Sequence, residues 1–204
     1  AYELGVRLVG SEMCIRDRYH AACYLTHAGI DALKKLKEDH NLKVDQVERI
    51  EQFVPNTHFS VCNIAEPETG LEVKFSMRHT AAMTLADVDT GSLHSYSDDI
   101  AKRPDLIKLR DRVTIIDKPF NSRMQSEVVV HLNDKGAVHQ FSDAGVPESN
   151  LDKQETKLIR KFNSLVTPIF GEEASKSIVD KCLKLETLEN VADLFNNVTL
   201  SNVS

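Results

Sequence analysis

Several features that would mark common functional classes are missing from this sequence. It contains no tryptophan, and aromatic residues make up only 6 % of its 204 residues, which disfavours the stacking surfaces of single-stranded nucleic-acid binders. The net charge is −6 and no dense run of Lys and Arg occurs, so nucleic acid and anionic membranes are not expected partners. The sequence also lacks an apolar run as long as a membrane span, a GxGxxG fingerprint and a P-loop.

Paired cysteine motifs are absent as well. The four cysteines, Cys14, Cys23, Cys62 and Cys182, are widely spaced and form no CxxC pair. The first residues, AYELGVRLVG, have neither the basic start nor the apolar stretch of a signal peptide. We therefore predict reduced thiols and a cytoplasmic location.

What is present is typical of a globular protein, with 41 % hydrophobic and 27 % charged residues. Apolar residues at three- and four-residue steps predict a helix over Thr26–Lys37. The β-branched stretch Val44–Val54 predicts a strand, and the Ala-rich stretch Glu72–Asp87 predicts one continuous helix.

The second half of the chain separates strands from helices. Three strands are predicted: Val113–Asp117, Gln125–Leu132 and Ala137–Phe141, the last two joined by the turn NDKG. Three helices follow: Asp152–Leu165, Glu172–Leu183 and Glu186–Phe195. This order predicts an α+β fold with a small, mostly antiparallel sheet, in a domain over 19–150 followed by helices and a tail over 151–204.

The densest group of reactive side chains is in YHAACYLTHAGID. His20, Cys23 and His27 would share one face of a helix, and such residues can bind zinc. No second ligand pair follows at suitable spacing, so we predict no metal and favour a loop lining a site at a helix N-terminus, where backbone N–H groups suit a carboxylate.

A second group is in KFSMRHT. Lys74, Arg78 and His79 could bind carboxylates, or could form an ordinary solvated helix face. His58, which follows a predicted strand, is a third candidate, although an isolated histidine there is more often structural. The residues alone support no more than two cationic or histidine-rich patches on an α+β domain.

At these two groups the sequence resembles the MmgE/PrpD family, which includes 2-methylcitrate dehydratase, cis-aconitate decarboxylase and iminodisuccinate epimerase. The matching stretches follow the family's order. They are YHAACYLTHAGIDAL (19–33), EPETGLEVKFSMRHTAAMTLAD (66–87), LRDRVTIID (109–117), the hairpin ending near Gly136, and AGVPESNLDKQETKLIRKF (144–162).

The resemblance implies a two-domain lyase or isomerase that uses no metal or other cofactor. This chain corresponds to the smaller α+β domain, and its C-terminal helices would pack on an all-helical domain that comes first in the family. That helical domain supplies most of the catalytic acids and bases, so we expect this chain to be inactive without it. The intact protein would be a homodimer acting on a small di- or tricarboxylate.

The resemblance also implies roles for individual residues. The family's KFS motif matches Lys74 and Ser76, and His27 matches the TH of CYLTH, so these three are the expected catalytic residues. We expect the substrate to be bound by four further residues: His20, Cys23, His58 and Arg78. Cys23 stands where the decarboxylase branch carries a histidine, which argues against decarboxylation.

The first 18 residues do not fit this picture. Residues 8–17 back-translate to a string that closely resembles the transposase adapter of short-read sequencing libraries, which continues into the codon of Arg18. We therefore interpret 1–18 as translated adapter and expect no packed position for it. The residue that the family often places before Tyr19, a lysine, would then be lost at the junction.

Two other functions remain possible from the sequence. The chain could be a stand-alone module that binds carboxylates without turnover, or an interaction protein whose apolar surface is completed by a partner chain. Tight binding of citrate-like acids by this chain alone would favour the module.

Overall fold

The computed structural model describes residues 19–134 and 136–196. The expectation that residues 1–18 are unpacked concerns residues outside these ranges. The described residues form two compact units. The first contains residues up to Thr90 and His94–Pro147, and the second contains Gly91–Leu93 and the chain from Glu148 onward.

The first unit is built on a four-stranded sheet. Its strands are β1 (Val47–Val54), β2 (Val113–Asp117), β3 (Gln125–Leu132) and β4 (Ala137–Asp143), in the order β2-β1-β3-β4. β1 runs parallel to β2 and antiparallel to β3, and β3 and β4 form the predicted hairpin. The α+β class is therefore confirmed, with a sheet that is mixed and mostly antiparallel.

Five helices belong to this unit among the described residues. They are α1 (His27–His40), α2 (Gly70–Val73), α3 (Met77–Leu85), α4 (Asp98–Ala101) and α5 (Pro104–Arg110). α1 packs on β3 and β4, and α3 packs on α1, α5 and β2. Alternate residues of β3 are buried, as expected for a sheet with helices on one face.

The predicted first helix forms because its apolar side chains repeat at helical spacing. Ile30, Leu33 and Leu36 are at most 1 % exposed. Asn41 ends α1 in the left-handed conformation at φ 48°. Gly29 allows α1 to approach β1, because a Cβ at this position would lie 2.1 Å from the side-chain nitrogen of Gln52.

The predicted continuous helix over Glu72–Asp87 is wrong. α2 ends at Val73 and α3 begins at Met77, because the intervening residues pair with another segment. The Ile64 N–H donates to the Phe75 carbonyl at 3.2 Å, and Ser76 forms an isolated bridge with Asn63. The Ser76 hydroxyl then caps α3 by accepting from the His79 N–H at 3.2 Å.

The second unit contains α6 (Leu151–Phe170), α7 (Glu172–Cys182) and 3-10 turns at Leu185–Thr187 and Val191–Phe195. Asn150 caps α6 through its side chain. Gly171, at φ 83°, separates α6 from α7. None of the helices in the described ranges is long and apolar enough to cross a membrane.

Candidate functional site

The two groups of candidate residues meet in the first unit. The Cys23 N–H donates to the Lys74 carbonyl at 2.9 Å. This bond joins the segment that precedes α1 to the break between α2 and α3, although fifty residues separate them in the sequence. Lys74 is half-buried, and its Nζ lies 5.6 Å from the ring centroid of Tyr96, within the range of a cation–π contact.

His20 is a buried residue at the centre of a short hydrogen-bond chain. It is 5 % exposed, with Nε2 at 3.0 Å from Oδ1 of Asp31 and Nδ1 at 2.8 Å from the Thr90 hydroxyl. A carboxylate can only accept, so Nε2 carries the proton and Nδ1 accepts from Thr90 when the ring is neutral. Both ring nitrogens are thus engaged by the protein.

The chemistry of Asp31 follows from this chain. Burial acts to raise its pKa, but the hydrogen bond and charge of His20, with the charges of His27 and Lys34, outweigh burial and lower the pKa below its usual value. Asp31 is therefore held ionised next to His20. A carboxylate fixed in this position orients the imidazole of His20 through its contact with Nε2.

Two aromatic contacts complete the segment before α1. The rings of His20 and His27 meet edge to face with centroids 5.0 Å apart, and Tyr24 lies 5.0 Å from His27. His27 is 2 % exposed, and its Nε2 lies 3.4 Å from the Ala22 carbonyl. The Tyr24 hydroxyl donates to the Ala144 carbonyl. His27 is consequently a buried residue that contacts the segment carrying Cys23.

Tyr96 is held in place by its hydroxyl group. The hydroxyl donates to the Thr90 carbonyl at 3.0 Å, and the same carbonyl accepts the Ala21 N–H at 2.8 Å. Burial, together with the Asp89 carboxylate, raises the pKa of Tyr96 above its usual range. Tyr96 therefore supplies a neutral aromatic face beside Lys74.

Comparison with protein families identifies the origin of this arrangement. Residues 20–185 match the model of the MmgE/PrpD C-terminal domain, which is well over half of the chain. The chain belongs to the MmgE/PrpD family. The resemblance inferred from the sequence is thus confirmed, and the family is linked to dehydratase and lyase activity. A comparison with curated proteins finds no significant match.

Of the predicted MmgE/PrpD site residues, His58 also lies close to the segment before α1. It is 1 % exposed and follows Pro55 on a 3-10 turn. Burial lowers the pKa of His58, while the carbonyls of Pro55 and Leu25 raise it and the charge of Arg123 lowers it further. His58 is therefore a buried histidine that remains neutral at pH 7.

Ser76 and Arg78 are directed elsewhere by the fold. Ser76 is fully buried and its hydroxyl is the cap of α3. Arg78 donates from Nε to the Val113 carbonyl at 3.2 Å, which directs it toward β2. Contact of either residue with a substrate remains a prediction.

Three residues of the site, Asp31, Thr90 and Tyr96, were not identified from the sequence. Asp31 follows His27 by four residues on α1, and this spacing places both on one helix face. The spacing could therefore have predicted Asp31 as a residue of the site. Thr90 and Tyr96 lie in an irregular segment without any local motif. Among the described residues, no three His, Cys, Asp or Glu side chains converge as metal ligands would.

Proposed function

We propose that this chain forms the cationic half of the active site of a lyase or isomerase, of dehydratase type, that acts on a small di- or tricarboxylate. The observation that supports it is the 2.9 Å hydrogen bond from the Cys23 N–H to the Lys74 carbonyl. It brings together the two segments for which the family resemblance implies contact with substrate.

In this proposal Lys74 binds a substrate carboxylate directly. Its side chain is half-buried against the ring of Tyr96, and a carboxylate bound by an ammonium group in a partly desolvated place gains a strong charge-assisted hydrogen bond. Such a cation also stabilises the enolate-like charge that develops when a proton is removed α to the carboxylate.

The buried candidates have positioning roles in this proposal. His20, through Asp31 and Thr90, fixes the segment that carries Cys23, and His27 supports it from below. Ser76 fixes the turn that presents Lys74 by capping α3. The acid and base that remove the proton and assist loss of hydroxide would come largely from the family's helical domain, so the chain alone would not turn substrate over.

Calorimetry with citrate tests the carboxylate site. We expect weak binding by the wild-type chain and a loss of about 10-fold or more in Lys74→Met, since a hydrogen bond to a charged group contributes roughly 1.5–3 kcal/mol. Lys153→Met, which removes an exposed lysine of α6, is the matched control and should bind normally. Equal binding by wild type and Lys74→Met would contradict the proposal.

The same experiment separates the alternative functions. Micromolar binding of citrate without turnover would favour a stand-alone binding module. Turnover of 2-methylcitrate or a related acid by this chain alone would contradict the requirement for a helical domain.

The C-terminal helices suit the predicted packing on a helical domain. An apolar groove of about 410 Å³ lies between α6 and α7, and Leu158 and Leu183 on it are 49 % and 53 % exposed. Exposed apolar area of this kind is typical of a surface that another protein element covers. Coexpression with a helical domain of the family should give a complex that Leu158→Asp weakens and that Asp180→Asn, outside the groove, leaves intact. A complex insensitive to Leu158→Asp would rule out this surface.

A further inference from the structure

Two cysteines from distant parts of the sequence are held on the same short segment, residues 74–77. Cys23 precedes the 3-10 turn Tyr24–Thr26, and Cys62 follows the turn that carries His58. Neither forms a disulfide, and the interaction of the two thiols is the main cause that raises the pKa of Cys62. Cys62 is 0 % exposed and belongs to the core, and the half-buried Cys23 packs against that core.

The backbone holds both cysteines against one short segment. The Cys23 N–H donates to the Lys74 carbonyl at 2.9 Å, and the Cys62 carbonyl accepts the Met77 N–H at 3.1 Å. These two bonds hold both cysteines on the segment 74–77, and a disulfide between them requires the sulfurs to reach a separation of about 2 Å.

We propose that Cys23 and Cys62 form a redox modification site, which a peroxide converts into an intramolecular disulfide. The Cys23 thiolate attacks one peroxide oxygen, the O–O bond breaks, and a sulfenic acid and hydroxide result. The Cys62 sulfur then attacks the sulfenic sulfur, forming the S–S bond and releasing the hydroxyl group as water. In total, two thiols give two electrons and two protons to one peroxide, which leaves as two waters.

The environments of the two thiols set this order. Cys23 is partly exposed, whereas Cys62 is fully buried. The neighbouring Cys23 and then burial raise the pKa of Cys62, so Cys62 is a poor first nucleophile and suits the role of the resolving thiol. A disulfide formed this way in a reducing compartment would be transient, as redox-sensing disulfides are.

The proposal is tested by peroxide treatment of the full chain carrying Cys14→Ser and Cys182→Ser. Cys182 is exposed and would otherwise link two chains, and Cys14 lies outside the described residues. After brief exposure to hydrogen peroxide and alkylation in denaturant, peptide mapping should find one Cys23–Cys62 cross-link. Dithiothreitol should restore both thiols together.

Two single variants provide the controls. Cys62→Ser should leave Cys23 as a sulfenic acid that a dimedone probe captures. Cys23→Ser should slow the loss of the Cys62 thiol by about 10-fold or more, since a buried protonated thiol reacts poorly. Over-oxidised Cys23 beside an alkylated Cys62 in the parent chain, or oxidation of Cys62 at an unchanged rate in Cys23→Ser, would overturn the proposal. The carboxylate site can fail its own test without affecting this result.

Discussion

His79 is a buried histidine whose surroundings favour the neutral form, and it gives the chain a defined sensitivity to acid. It lies on α3 and is 0 % exposed. Neither ring nitrogen has a partner within hydrogen-bond distance among the described residues. Burial is the main cause that lowers the pKa of His79 to about 4; the nearby Ile100 carbonyl acts to raise it, and the charges of Arg110 and Arg103 act to lower it.

The sign and size of the effect follow from linkage. The pKa of His79 falls from 6.5 in the unfolded chain to about 4 in the folded protein, so between these values the unfolded state binds more protons. The contribution of the buried, neutral His79 to the free energy of unfolding is therefore complete above pH 7, and it is lost progressively as the pH falls toward 4. The loss by pH 5 is about 2 kcal/mol, and the limit at lower pH is about 3 kcal/mol.

His79→Leu removes the titrating group and leaves no unpaired polar atom. We expect the variant to be at least as stable as wild type at pH 7. The difference in free energy of unfolding between the variant and wild type should grow by about 2 kcal/mol at pH 5. Urea unfolding at both pH values measures this difference, in which the titration of all other groups cancels. Tyrosine fluorescence is a suitable signal, because the protein has no tryptophan and the described tyrosines, Tyr19, Tyr24 and Tyr96, lie in the same unit as His79.

His139→Asn, which replaces a histidine whose side chain is 76 % exposed, is the control substitution for this experiment. If wild type and His79→Leu lose the same free energy between pH 7 and pH 5, the reasoning from burial is refuted. An NMR titration that gave His79 an ordinary pKa near 6.5 would refute it as well.

Three further substitutions test the packing by urea unfolding at pH 7. Leu33→Ala, at a position 0 % exposed in the core, should cost about 2–5 kcal/mol, and a loss below 1 kcal/mol would argue against the packing of α1. Thr69→Ala removes the hydroxyl that caps α2 and should cost about 1 kcal/mol, whereas an unchanged midpoint would mean that the cap contributes nothing. Lys37→Met removes the bond from Nζ to the Leu85 carbonyl at 2.7 Å and should lower the free energy of unfolding by about 1.5 kcal/mol. Lys35→Met, at an exposed position, should lower it much less. Equal losses in the two variants would contradict a specific role for Lys37.

Local patterns predicted the elements that depend on neighbouring residues. The period of Ile30, Leu33 and Leu36 identified α1, and the β-branched run with the turn before Gly136 identified the β3–β4 hairpin. The helix predicted over 72–87 was wrong because the break within it depends on a segment that is not adjacent in the sequence. Its helix propensity is continuous, but residues 62–64 bond to the Phe75 carbonyl and the Met77 N–H. No local pattern reports a partner more than ten residues away.

The residues of the candidate site also differ in how far the sequence predicted them. Residue type and family resemblance drew attention to His20, Cys23 and Lys74, and the structure brings together the two segments that carry them. Arg78 belonged to the same motif as Lys74, yet its guanidinium bonds to Val113 on β2. The direction of a side chain depends on what lies next to its helix, which motif spacing does not specify.

By itself, the sequence determined the family, the α+β class and the strands and helices whose side-chain period is regular, because these are encoded over short distances along the chain. Only the tertiary structure decided that Cys23 bonds to Lys74 and that Asp31 pairs with His20. It also decided that His79 is buried with no hydrogen-bond partner for either ring nitrogen among the described residues. Each of these depends on contacts between segments far apart in the sequence, and such contacts form only when the core between α1, α3 and the sheet is assembled.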